Sequence, residues 1–236
     1  MNKLVTLALV TALILLKAQE VQAQGKPSES SLQTSNLTIQ FPPGYNVIVK
    51  GESTPNVIGS QYLSEEWKKG RITFNNGSMI DTINLRLNAY KNEMHFLDKG
   101  VEYTIGCPDK IKDIHIGSRK FIYAPYKEGN SILNGYFEVL VDGKTSLLVL
   151  FTVKRIESNY NIALSVGSKE DRLELCERYF FATGSSIIEL DKKGNKLFDS
   201  LGNKSDVLRK KVKEERLSFK RKEDLAKIVS YVNEIN

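Results

Sequence analysis

Between residues 37 and 190 the chain breaks into short β-type runs at intervals of about ten residues, parted by Gly, Asn, Asp and Pro. No other feature constrains the fold as much, because this spacing suits antiparallel all-β architecture and leaves no room for long crossover helices. The runs are 37–40, 47–50, 70–74, 82–90, 93–97, 101–105, 111–116, 120–123, 136–141, 145–154, 161–166, 178–183 and 186–190. Asn76-Gly77, Lys99-Gly100 and Asp142-Gly143 supply the positive φ angles that tight hairpins demand. Ile83, Leu85 and Leu87 alternate with Asn84, Arg86 and Asn88, and Met94 and Phe96 with Glu93 and His95, so these strands have one dry face and one wet face. Residues 147–153 are almost continuously apolar, which predicts a strand covered on both faces at the centre of the sheet.

After Leu190 the period lengthens. Leu225, Ile228, Val229 and Val232 form one helical stripe, with Glu223 and Asp224 in the first turn, where the helix dipole favours them. Leu197 with Leu201 and Leu208 with Val212 repeat the pattern, so two or three short helices are expected between residues 195 and 235. The predicted fold is a mainly β antiparallel sandwich or partly open barrel over 37–190, with a small helical appendage over 191–236.

The first residues read as an export signal. Lys3 gives a basic start, 4–16 is an apolar run, and Val21-Gln22-Ala23 offers small residues for cleavage between Ala23 and Gln24. The run is shorter than a comfortable bilayer span, so no permanent membrane anchor is expected. Residues 24–36 are polar and read as a flexible leader. The expected location is the periplasm or the extracellular space, where nucleic acid would be an unusual partner.

The chain carries 34 basic and 28 acidic residues, a net charge of +6, with 13 basic against 9 acidic from residue 181 onward. A basic helical end suits either a solvated face laced with ion pairs or contact with an anionic surface. Two cysteines, Cys107 and Cys176, enter an oxidising compartment, where either a disulfide or two buried thiols is open to them.

Three segments resemble an uncharacterised family of exported bacterial proteins. The first is residues 58–70, Ile-Gly-Ser-Gln-Tyr-Leu-Ser-Glu-Glu-Trp-Lys-Lys-Gly, similar to that family's Gly-Ser-Pro-Tyr-Leu-Asn-Glu-Glu-Trp segment, with Gln61 and Ser64 in place of its proline and asparagine. The second is Leu85-Arg86-Leu87-Asn88 followed by Glu93-Met94-His95-Phe96, and the third is the lysine-rich ending with Lys222-Glu223-Asp224-Leu225 and Tyr231-Val232-Asn233. The resemblance implies an architecture. It implies no catalytic residue.

Catalytic signatures are scarce. Neither a Gly-x-Ser-x-Gly elbow, a His-Glu-x-x-His pair nor a Gly-rich phosphate loop is present, so no catalytic residue, cofactor or metal is assigned. His95 and His115 each sit between apolar neighbours, and alternation turns both towards solvent; a metal held by the two with Glu93 is the sharper alternative. Glu65 and Glu66 before the single tryptophan suggest sugar chemistry, but adjacent carboxylates cannot face each other across a scissile bond. Trp67, Tyr123, Tyr126 and Tyr136 are the candidate ligand-binding aromatics, with core packing as the plainer role. Function is therefore expected to be a soluble, non-enzymatic cell-envelope role, exercised by binding an envelope protein or a ligand. A carrier of an apolar ligand in a β-lined cavity and an envelope-polymer hydrolase are the alternatives.

Overall fold

Hydrogen-bonded ladders join eleven strands into one antiparallel sheet. A computed structural model describes residues 38–45, 47–49, 57–161 and 163–235. The strands are β1 (Val47–Val49), β2 (Lys68–Phe74), β3 (Met79–Asn88), β4 (Glu93–Asp98), β5 (Val101–Ile105) and β6 (Ile111–Ile116), then β7 (Arg119–Glu128), β8 (Ser131–Val141), β9 (Thr145–Ile156), β10 (Arg172–Thr183) and β11 (Ser186–Glu189). Three helices follow: α1 (Asn195–Leu201), α2 (Ser205–Glu214) and α3 (Lys222–Ile235). The spatial order is β1-β5-β4-β3-β2-β6-β7-β8-β9-β10-β11, so the sheet ends at β1 and β11 and does not close into a barrel.

Alternation along the strands builds two apolar layers, one on each face. Ile72 and Phe74, Leu85 and Leu87, Met94 and Phe96, Ile114, Phe121, Val149 and Phe151 gather in the larger core, which draws on β1 to β9. The intervening residues Phe137, Leu148, Leu150 and Phe180 pack with Tyr126 on the opposite face. Rings in that second layer meet edge to face, Phe137 with Phe180 at 5.1 Å and Tyr126 with Phe137 at 5.5 Å. The end of the sheet curls until β7 and β11 lie near each other without pairing. Arg178 spans that gap, its Nε and Nη2 donating to Glu189 at 2.9 and 2.8 Å and its Nη1 to Glu128 at 3.0 Å.

Burial on both faces of β9 agrees with its continuous apolar run, for residues 147–151 are all buried. Its place differs from the expected centre: β9 lies two strands from the β11 edge. Coverage comes from the curl and from α3, whose Leu225 and Val229 pack on Leu147. The helical stripe behaves as its spacing predicts, since Leu225, Ile228, Val229 and Val232 are all fully buried. Ile228 and Val232 share a core with Phe181 of β10 and Leu197, Phe198 and Leu208 of the other helices. Asp224, in the first turn of this helix, ties it to the preceding segment, its Oδ2 accepting from the Ser218 backbone N–H at 2.8 Å and from Arg221 Nε at 2.6 Å.

Among the described residues, two expected strands do not form. Residues 38–40 form a bend, and in the later run only an isolated bridge pairs Asn161 with Val166. There the Asn161 side chain accepts from the backbone N–H groups of Ala163 and Leu164, a local turn that competes with strand formation. Gly77 and Gly100 carry the positive φ that their turns need, at 86° and 79°. Gly143 has a different reason: a Cβ there would stand 2.5 Å from the Asn233 side chain. The expected signal sequence and leader, with the cleavage point at Ala23 and Gln24, lie outside the described residues.

Candidate functional site

The densest polar constellation lies on the face of β3, β4 and β5 that turns away from the larger core. Arg86, His95 and Thr104 are register partners across these strands, and Glu102 sits one step along from them. Over them folds the segment before β2, held in line with β3 by the Leu63 N–H on the Leu87 carbonyl at 2.9 Å and the Tyr90 N–H on the Gln61 carbonyl at 3.1 Å. That segment carries Tyr62 onto the wet face. Alternation alone made this face solvent-exposed; with Tyr62 across it, His95 is completely buried, which corrects the expectation of a surface histidine.

Glu102 is the hub. Its Oε2 accepts from Arg86 Nη2 at 2.8 Å, and its Oε1 meets Tyr62 Oη at 3.0 Å and His95 Nδ1 at 2.6 Å. The other ring nitrogen of His95 lies 3.0 Å from Glu93 Oε2, so both nitrogens donate only when the ring carries two protons. Burial acts to raise the Glu102 carboxyl, but the hydrogen bonds from Arg86 and His95 outweigh it and bring it down to about 2. Burial pushes the Tyr62 phenol well up, against the pull of the nearby Arg86 charge and with the Glu102 bond in support.

Above the hub, Arg86 is sandwiched between rings. Its guanidinium carbon lies 3.7 Å from the centre of Tyr62 and 4.2 Å from that of Trp67. Glu65 closes the edge, with Oε2 3.9 Å from Arg86 and Oε1 bonded to Ser60. Trp67 is half-buried and Glu65 exposed, so the stack presents a rigid aromatic and acidic rim on a base whose acid and base groups are already bonded to one another. Next to it, Leu63, Glu66, Lys68, Leu85, Leu87 and Phe121 line a narrow cleft of about 20 Å³ with Arg86 and Arg119 among its walls.

The four candidate aromatics do not share one cleft. Tyr123 and Tyr136 pair at 4.9 Å in the larger core, Tyr126 lies in the opposite apolar layer, because it is an odd number of residues from Tyr123 along β7, and Trp67 stands over Arg86. Tyr136 is buried with its hydroxyl unbonded, and burial pushes that phenol up. Cys107 and Cys176 are both free and half-buried, the first before the turn Pro108–Lys110 and the second in the middle of β10, so they form no disulfide. His95 and His115 lie on strands separated by β3 and β2, too far apart to share an ion. Among the described residues no group of three His, Cys, Asp or Glu side chains could hold a metal, and no helix is long and apolar enough to cross a membrane. Along α2, Lys210 approaches Glu214 at 3.9 Å and Lys211 approaches Glu215, just past the helix, at 3.6 Å.

Sequence patterns singled out Trp67 and Glu65, and the resembling segments include Arg86 and His95, but nothing in the sequence tied these residues to one another. Arg86 stood in the alternation as an ordinary wet-face residue, and Glu102 carried no motif. A further signal was Tyr62, an aromatic inside the Gly-Ser-x-Tyr-Leu segment. No protein-family model, curated protein or solved structure matches the chain.

Proposed function

We propose that this is an exported, soluble cell-envelope protein, cleaved after Ala23, that works by binding a partner protein or ligand rather than by catalysis. The observation that supports this reading is the Tyr62–Arg86–Trp67 stack fastened to Glu102. Trp, Tyr and Arg are the side chains that contribute most to binding when held rigid before contact. At the base of this cluster Tyr62, His95 and Arg86 all bond to Glu102, which holds the stack in place before any contact is made. The carrier alternative draws less support, because the layers that would line a cavity are occupied by the chain's own rings, Phe74, Phe96 and Phe137 among them.

A photo-crosslinking residue placed at Glu65 in the host tests the reading. The expected result is a discrete crosslinked species in the envelope fraction, formed by a chain whose measured mass begins at Gln24, and lost when Trp67→Ala is added. Specific turnover in a broad hydrolase screen, abolished by His95→Gln, would overturn it, as would an uncleaved chain confined to the cytoplasm.

A further inference from the structure

On the same face of the sheet, away from the Glu102 cluster, the pairing of β2 with β3 is interrupted. Gly70 pairs with Ile83 and Ile72 with Ile80, so Asp81 and Thr82 together face Arg71. This is a β-bulge, a device that re-aims side chains. It places Thr82 at φ +59°, a left-handed conformation that is a true outlier for a β-branched residue. On its other side β2 pairs closely with β6, Arg71 opposite His115, and the approach at Gly70 is so tight that a Cβ would lie 2.2 Å from the His115 carbonyl oxygen. An open cleft of about 300 Å³ results, lined by Lys69, Arg71, Asp81, Thr82 and His115 with Gly70 and Gly117.

The charges in this cleft are unevenly satisfied. Asp81 is turned onto its own strand, its Oδ1 accepting from the Thr82 N–H at 2.9 Å. His115 Nε2 stands 3.6 Å from Asp113, and Lys69 Nζ is 3.5 Å from the Thr82 carbonyl. Arg71, a half-buried residue between them, makes no hydrogen bond or ion pair with any described residue. A guanidinium fork without an acceptor of its own is suited to an oxyanion.

We infer that this cleft binds a phosphate ester, with Arg71 as the fork and Lys69 and His115 as flanking donors. Donors from two neighbouring strands match a tetrahedral anion, which offers more acceptor oxygens than a carboxylate, and the cleft is larger than the bare ion, leaving space for an organic remainder. The inference does not depend on the role proposed for the Tyr62–Arg86 stack.

Calorimetric titration of the full chain with inorganic phosphate and glycerol phosphate, and sedimentation with phosphatidylglycerol or phosphatidylcholine vesicles, test it. Saturable binding of the free esters assigns a soluble ligand, and binding only to phosphatidylglycerol vesicles assigns a lipid headgroup; either supports the site provided that Arg71→Gln weakens it about tenfold or more. Arg71→Lys, which keeps the charge but loses the fork, is expected to fall between, and Lys69→Gln checks the site independently should Arg71→Gln fail to fold. Absence of binding by every probe, or affinity unchanged in the folded Arg71 and Lys69 variants, overturns the proposal.

Discussion

Asn233 grips both backbone polar groups of Thr145: its Oδ1 accepts the Thr145 N–H at 2.8 Å and its Nδ2 donates to the Thr145 carbonyl at 2.8 Å. A side-chain amide near the end of α3 thereby stands in for a strand neighbour at the first residue of β9, 88 positions away in sequence. The contact explains the glycine at 143, where any side chain would meet this amide. Asn233→Ala leaves both groups of a buried residue unpaired and is expected to cost about 2–4 kcal/mol, read as a lower urea midpoint. Gly143→Ala is expected to be destabilising in the native chain and less so in the Asn233→Ala background.

The Glu102 carboxyl, held at about 2 against 4.5 in the ordinary range, makes stability depend on acid. Its folded value is depressed, so its contribution is complete above the unfolded pKa and is lost as pH falls from about 4.5 towards 2. Denaturation of the native chain and Glu102→Gln across this range is expected to give curves that converge as pH falls. A constant difference between them over the whole window would show that Glu102 is not the titrating group.

Arg178 joins β10 to Glu128 at the end of β7 and to Glu189 of β11 where no ladder joins those strands. Its bonds to Glu189, despite the burial that opposes the charge, raise the guanidinium further above its already high range. Arg178→Leu is expected to lower stability by about 1–2 kcal/mol. Hydrogen exchange should show the loss concentrated in β11.

Thr82 gives the opposite sign. Asn tolerates the left-handed region far better than a β-branched residue, so Thr82→Asn is expected to raise stability by about 1 kcal/mol while leaving the Arg71 cleft in place. A thermal midpoint at or below that of the native chain would argue against strain at this bulge.

With Cys107 and Cys176 both free, mass spectrometry after alkylation without reductant should show two modified thiols. Their double replacement by serine should leave electrophoretic mobility unchanged under non-reducing conditions. A single species protected from alkylation would contradict the free-thiol arrangement.

Local pattern carried most of the strand list. Period-two alternation in β3 and β4 named the buried Leu85, Leu87, Met94 and Phe96, and the helical stripe named four residues that are all fully buried. It failed where a side chain competed for the backbone, as Asn161 does, and where a turn glycine answered to a remote neighbour, as Gly143 does. Burial of His95 was not legible either. Its alternation is correct for its own strand, but the layer above it comes from Tyr62, and no periodicity reports which segment will cross a face.

Sequence alone therefore determined the class: mainly β, antiparallel, with a helical end whose apolar stripe had to dock. These are consequences of forces between near neighbours, namely turn chemistry, alternation and capping. Tertiary structure decided how far the sheet curled, that β9 was buried near an edge instead of at the centre, and that both faces of the sheet around Tyr123 and Tyr126 would be covered. It also decided the union of Tyr62, Arg86, Glu102 and His95. A buried charge persists only when its partners close around it together, and those partners come from segments whose meeting depends on the whole sheet.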